Sequence, residues 1–479
     1  MRRTKIVATL GPATDSEQAL EKLIRAGVDV VRVNFSHGDH DGHRRRVQRV
    51  REISERVGRC VGVLGDLQGP KIRIARFRDG QIELNEGDSF ALDASLPAGA
   101  GDRTEVGLTY TDLPGDVQSG DILLLDDGRL VLRVESVQGL RIESTVMVGG
   151  TLSNNKGINR QGGGLSAPAI TEKDREDIRL AAELQVDFLA VSFPRSAQDV
   201  HLARTLLREA GGDASICAKI ERAEALAMID EIISASDVIM IARGDLGVEI
   251  GDAELPAVQK NLISRARKLN RVVITATQMM ESMIVNQIPT RAEVFDVANA
   301  VLDGTDAVML SGETATGRYP DKVVDSMSRI CEAAERQRAA RQSTHRMDSY
   351  FGRVDEAIAM ATMYTANHLD VAAIAALTES GSTPLWMSRI SSGIPIFALT
   401  QHHKTSRRLT LYRGVYPVLL ETVPDTHEET NREAIRLLLG EGVVKDGELV
   451  IITKGDLKGV RGGTNAMKIV RVGETVALN

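Results

Sequence analysis

VDFLAVSF (186–193), SICAKIE (215–221), DVIMIARG (237–244), RVVITATQ (271–278) and DAVMLSGE (306–313) are five short apolar runs, each followed by text of helical periodicity. Strands alternating with helices indicate βαβ units and a parallel sheet. The same alternation occurs between Thr4 and Gln68, where KIVATL (5–10), VDVVRVNF (28–35) and CVGVLGDL (60–67) are separated by amphipathic stretches, Ser16–Ala26 and Asp41–Val57. Three such runs precede an interruption and five follow it, the strand number of a closed (β/α)8 barrel.

The interruption, Pro70 to about Ala167, has no helical periodicity. Its runs KIRIARF, QIELNEGDSFALDA, DILLLDDGRLVLRVESV and LRIESTVMVGG are broken by turn signals such as Asp126-Asp127-Gly128. It is expected to be a small antiparallel β domain, a lid set in the loop after the third strand. Glu332–Met347 is charge-rich and helical with no strand after it, placing a boundary near Ser343. Beyond it AAIAALT, PIFALT, VYPVLL and ELVIITKG alternate with helical text, as in an open α/β sheet. The expected fold is therefore α/β: a barrel from 1–69 and 168–343, a lid from 70–167 and a tail domain from 344–479.

Composition agrees and excludes other classes. At roughly 100 to 200 residues per domain, 479 residues suit about three domains. Lys+Arg 59 against Asp+Glu 66 gives a charge of -7 with no basic block, so neither nucleic acid nor an anionic membrane is an expected partner. Cys60, Cys217 and Cys331 are too few and too scattered for a disulfide framework or a cysteine zinc site, and suit a reducing cytoplasm. The apolar run in MRRTKIVATLGPATDSEQ is too short for a signal peptide, and the longest apolar stretch, Val371–Leu377, is far short of a membrane span.

In a barrel, chemistry gathers where strands end. Arg32, Asn34 and Ser36 share one face of the second strand by alternation. The third ends at Asp66, the fourth at Ser192, the fifth at the co-facial pair Lys219 and Glu221, the sixth at Arg243-Gly244-Asp245, the seventh at Thr277-Gln278 and the eighth at Ser311-Gly312-Glu313. Each alone has a plain explanation: Lys219 a solvated strand end, Glu221 its ion-pair partner, Asp245 a helix cap. Together they make a rim of cations, carboxylates and hydroxyls suited to a small anion and a metal. Two carboxylates without nearby His or Cys favour Mg²⁺ or Mn²⁺ over zinc. The Arg243-Gly244-Asp245 turn offers backbone N–H groups to a carboxylate or phosphate.

The runs VVRVNFSHG, GDLQGPKIR, SFPRSAQDV, ICAKIE, IARGDLG, VVITATQMMESM and VMLSGETATG, in that order, resemble the motifs of pyruvate kinases over essentially the whole chain. The tail, with LTESGST and LYRGVYP, is most similar to the bacterial members. The resemblance implies a cytoplasmic glycolytic enzyme, commonly a homotetramer, that moves the phosphoryl group of phosphoenolpyruvate to ADP, giving pyruvate and ATP. It implies that Arg32, Lys219, Gly244 and Thr277 bind phosphoenolpyruvate and that Glu221 and Asp245 hold Mg²⁺. Asn34, Phe35, Ser36 and His37, with Arg73 and Lys156 from the lid, would contact nucleotide. Lys219, Thr277 and Arg32 are the expected catalytic groups, with Arg243, Asp245 and Ser192 beside the substrate and Thr277 relaying a proton to the enolate.

The pattern departs from the family at one point. Many members bind K⁺ through Asn, Ser, Asp and Thr side chains with a Glu nearby. Asn34, Ser36 and Asp66 match, but Leu67 stands at the Thr position and Lys71 at the Glu position. The Lys71 ammonium would replace the mobile cation, so K⁺ is not expected to be required. In the tail, Thr378-Glu379-Ser380-Gly381-Ser382-Thr383 precedes Pro384 at a helix start, which by spacing alone fits a capped βα turn. The family resemblance makes Thr378, Ser380, Gly381, Ser382 and Thr383 a site for a sugar-phosphate or nucleotide effector, with Gly462-Gly463-Thr464-Asn465 completing it. His402, His403 and His427 read as helix-start or surface residues. Two other readings fit the rim: a metal-dependent aldolase or lyase of pyruvate enolate, and an inactive metabolite-binding homologue.

Overall fold

The computed structural model describes residues 1–337, 350–422, 426–456, 459–460 and 462–474. The boundary expected near Ser343 lies outside the described residues.

Eight parallel strands close into a barrel: Lys5–Thr9, Val30–Asn34, Gly62–Asp66, Phe188–Val191, Ser215–Ile220, Val238–Ala242, Val272–Ala276 and Ala307–Leu310. They are near-continuous Val, Ile, Leu, Met and Ala because both faces are covered. Inward residues such as Leu64, Phe188, Met240, Ile274 and Met309 fill the cylinder, and outward ones such as Val63, Leu189, Ile239 and Val273 pack under the helices. Ser16 caps the helix Glu17–Arg25 by accepting from the Ala19 amide at 3.2 Å, and Gly58 ends the helix His40–Val57 in left-handed geometry. Asn34 pairs with Asp66, and Asp66 with Ala190, so the second, third and fourth strands deliver their polar ends side by side.

The insertion follows the third barrel strand. Its main sheet has six strands, from Ile158–Arg160 at one edge to Glu105–Gly107 at the other. Residues 72–77 bridge the two edges: the Ile74 amide donates to Lys156 O at 2.9 Å and the Ala75 amide to Gly107 O at 2.7 Å. The sheet thus curls into a small barrel around its own core of Ile74, Phe90, Leu92, Leu123, Leu132 and Ile142. Pairing is antiparallel as expected, except that Ser89–Asp93 runs parallel to Glu105–Gly107.

The tail is a five-stranded sheet ordered Val415–Leu419, Ile396–Thr400, Ala373–Leu377, Leu449–Gly455, Thr464–Arg471. The last strand, antiparallel, is absent from the sequence reading. It is an edge strand with only two of its eight residues buried, so it carries no apolar run to announce it. The tail docks under the barrel floor, away from the strand ends. Leu411 enters the barrel core, Arg389 pairs bidentately with buried Asp306, and Arg407 Nε donates to Asp187 Oδ1 at 2.8 Å. Among the described residues no helix is long and apolar enough to cross a membrane.

Candidate active site

The ends of the third, fourth and fifth strands converge on the Lys219 ammonium. Lys219 Nζ donates to Ser192 Oγ at 2.7 Å, pairs with Glu221 Oε1 at 2.9 Å and lies 3.4 Å from Asp66 Oδ1. Arg32 Nε donates to the other Asp66 oxygen at 2.6 Å. Burial alone would drive Lys219 toward neutrality, but Asp66 and Glu221 outweigh it and raise its pKa above the ordinary value. Burial would likewise raise Asp66, yet Lys219 and Arg32 prevail and lower it. Ser192 Oγ donates onward to Leu67 O at 2.8 Å, so the hydroxyl is fixed from both sides.

Glu221 Oε2 accepts from the Phe193 amide at 2.9 Å, and Phe193 adopts a left-handed φ of 55° to present it. Asp245 lies in the first turn of the helix Arg243–Ile250. Its carboxyl is pushed up to about 7 by burial and by the charge of Glu221. Buried Glu221 and half-buried Asp245, close enough for one charge to act on the other, are a donor set for a hard divalent cation. Among the described residues no group of three His, Cys, Asp or Glu side chains could hold a metal, so further ligands at this pair would be substrate oxygens and water.

The seventh strand stops at Ala276, and Thr277 and Gln278 then take φ of 67° and 54°, a costly geometry for a β-branched residue. Arg243 holds it. Its guanidinium donates to Ala276 O at 3.2 Å and Thr277 O at 2.7 Å, and is anchored by Asp296 Oδ1 at 2.6 Å. The Gly244 amide donates to Thr277 Oγ1 at 2.8 Å. The Arg243 side chain thus turns behind the rim, where it shapes the turn, and what its residue leaves to the rim is the backbone that leads into Gly244. Arg243→Met is expected to lower kcat/KM by roughly 10²-fold through misplacement of Thr277. Steady-state kinetics beside circular dichroism will check this, and unchanged kinetics would leave Arg243 with no positioning role.

Over this rim the lid supplies Lys71, Arg73, Asp126, Asp127 and Lys156, which with Arg32, Asn34, Ser36, Lys219, Glu221 and Asp245 line one open cleft of about 1220 Å³. Lys156 Nζ pairs with Asp126 Oδ1 at 2.7 Å. Asn34 Oδ1 accepts from the Ser36 amide at 3.0 Å. Phe35 does not join this cleft. Its ring is buried against Gly65, where a Cβ would come within 2.9 Å of it, and it meets His43 edge-on at 5.2 Å. His37 is exposed at the margin, its pKa lowered by burial of part of the ring and by Lys71 and Arg73. Lys71 is half-buried, and burial, then Arg73 and Lys219, lower it to about 8. The sequence reading omitted Asp126, Asp127, Arg222 and Glu249 from this cleft; they come from turns and a helix end, where no periodicity points.

A second cleft, about 840 Å³, lies in the tail. Thr378, Ser380, Ser382 and Thr383 line one side and Gly462, Gly463 and Thr464 the other, with Thr383 and Thr464 hydroxyls 2.7 Å apart. Gly381 shapes the turn at φ 84° and donates its amide to Thr378 Oγ1 at 2.9 Å. Asn465 is instead held by Asp456. His402 precedes the helix His403–Leu409, as read, but His427 also lines the cleft. Lys454, unnoticed in the sequence, brings its ammonium there, bonded to His427 O and Asn431 Oδ1 at 3.0 Å each.

Comparison with known proteins bears on what this arrangement does. A family model described as pyruvate kinase, barrel domain, matches residues 1–324, and one described as pyruvate kinase, alpha/beta domain, matches residues 356–470. The chain is 58% identical to pyruvate kinase II of Salmonella typhimurium over 98% of its own length and 99% of that protein's. It is also 58% identical to the pyruvate kinase of Haemophilus influenzae, covering 95% of this chain and 96% of that one. A crystal structure of a pyruvate kinase from Cryptosporidium parvum superposes with a TM-score of 0.92 at 35% identity, over 98% of this chain and 96% of that chain. A barrel whose rim groups Lys, Arg and paired acids beneath an inserted β domain, matched nearly end to end by these relatives, leaves one conclusion: this chain belongs to the pyruvate kinase family.

Proposed function

We propose that the chain transfers the phosphoryl group of phosphoenolpyruvate to ADP at the Lys219 cluster, with Glu221 and Asp245 holding Mg²⁺ or Mn²⁺. The observation that carries this reading is the convergence of Lys219, Arg32, Glu221 and Asp245 on one cleft shared with lid cations. Arg32 and Lys219 present fixed positive charge to the transferring phosphoryl group, and Lys219 then faces the enolate left behind. When bound, the divalent cation supplies charge neutralisation to phosphoryl, carboxylate and enolate oxygens. Thr277, whose hydroxyl accepts from Gly244 and donates to Ala276 O at 2.6 Å, is the proposed relay of a proton to the enolate carbon. Arg73 and Lys156 reach down from the lid to nucleotide phosphates. A coupled assay with phosphoenolpyruvate, ADP and Mg²⁺ tests the reading; no ADP-dependent pyruvate formation would defeat it. That assay also separates it from the aldolase, lyase and inactive-homologue readings.

Two finer parts belong to the same reading. K⁺ is dispensable because Lys71 supplies a charge beside Asn34, Ser36 and Asp66. The tail cleft takes a sugar phosphate or nucleotide, its phosphate on the Thr378–Thr383 turn near Lys454. Ser382→Asp is expected to abolish activation by phosphorylated effectors while leaving unactivated turnover within about twofold; equal activation of both proteins in an effector titration refutes the site. The exposed apolar side chains of Ile288 and Phe295, 76% and 70% accessible, support a subunit contact on that face, in keeping with a homotetramer in the cytoplasm.

A further inference from the structure

The lid rejoins the barrel through Gln161-Gly162-Gly163-Gly164-Leu165, three successive glycines at φ 81°, 79° and 94°. So glycine-rich a link should swing freely, yet the barrel grips it at three points. The Gly162 amide donates to Glu249 O at 3.1 Å, the Gly164 amide donates to Glu224 Oε1 at 3.2 Å, and Arg222 Nη1 donates to Leu165 O at 2.9 Å. Approach is so close at Gly163 that a Cβ there would overlap Glu224 Oε2. The gripping groups also hold one another. Glu249 Oε2 accepts from the Ala223 amide at 2.8 Å, and Arg222 pairs with Glu224 at 3.7 Å while lying 5.4 Å over the Phe193 ring. Arg222 and Glu249 are nearly wholly buried, at 4% and 5% accessible.

Each gripping residue is tied by short covalent connection to one of the paired acids. Arg222 follows Glu221 directly, and Glu249 lies one helical turn beyond Asp245, about 6 Å along the same short helix. From this geometry we infer that Arg222, Glu224 and Glu249 form a staple that transmits occupation of the Glu221–Asp245 pair to the lid hinge, a role resting on the reading of that pair as the metal site. They are positioning residues: none is placed against the reacting atoms. Were the two acids to hold a cation, the loop after the fifth strand and the Arg243–Ile250 helix would be fixed relative to one another, and the hinge gripped by both would be held with them.

Hydrogen exchange at the hinge amides, with Mn²⁺ binding to the same full-length samples followed by electron paramagnetic resonance, tests the staple. In the unsubstituted protein, saturating Mn²⁺ is expected to slow exchange at Gly162–Leu165 by about tenfold. Arg222→Met and, independently, the milder Glu224→Gln are expected to bind Mn²⁺ within about threefold of the parent affinity and to lose most of that protection. Bound Mn²⁺ without hinge protection in the parent, or full protection in both variants, overturns the staple and leaves the metal site standing. Absence of Mn²⁺ binding in the parent overturns both.

Discussion

Lys219→Met is expected to lower turnover by about 10³-fold, roughly 4 kcal/mol of transition-state stabilisation, with the fold and divalent-cation binding retained. Lys219 donates to Ser192 and pairs with Glu221 and Asp66, so its charge is fixed at the place proposed for the transferring phosphoryl group and the enolate. Removing it leaves buried acids short of a partner, which destabilises the barrel. The loss is partial, since Asp66 keeps Arg32 at 2.6 Å and Glu221 keeps the Phe193 amide at 2.9 Å. Single-turnover kinetics on folded variant, with Mn²⁺ affinity measured in parallel, separates chemistry from folding. Turnover near the parent value would remove Lys219 from catalysis.

Activity in potassium-free and sodium-free buffer at pH 7 is expected to match that with K⁺ added, and Lys71→Glu combined with Leu67→Thr is expected to create a K⁺ requirement of roughly 10²-fold. Lys71 is lowered to about 8 by burial, then by Arg73 and Lys219. A lysine with that value is about nine-tenths charged at pH 7 and loses its charge as pH rises through 8. The substitute charge is therefore present at neutral pH and absent at pH 9, so activation by K⁺ should emerge only in alkaline buffer. Strong K⁺ activation at pH 7 in the parent protein refutes the substitution.

Much of this was legible because strands alternate. Arg32, Asn34 and Ser36 do share the cleft face, and the same rule places Phe35 on the opposite, buried side, so its grouping with nucleotide contacts ran against the chain's own pattern. Lys219 and Glu221 were readable as co-facial, though Glu221 is the residue just past its strand. Alternation fails where the strand ends. Arg243 opens a helix, so its direction follows the turn rather than the pleat, and it lies behind Thr277. No propensity would assign left-handed geometry to Thr277, a conformation imposed by Arg243 and Gly244 from another strand end. Lys454 was hidden for a related reason: at a strand end it looks like any solvated cation until the helix His427–Gly440 is folded beside it.

Glu221 and Asp245 are expected to grip one divalent ion beside Lys219. Anomalous diffraction from crystals grown with Mn²⁺ and phosphoenolpyruvate measures this directly. The expected result is one strong peak between the two carboxylates, within coordination distance of an oxygen of each. A peak elsewhere in the cleft, or none beside these two acids in crystals with substrate bound, would contradict it.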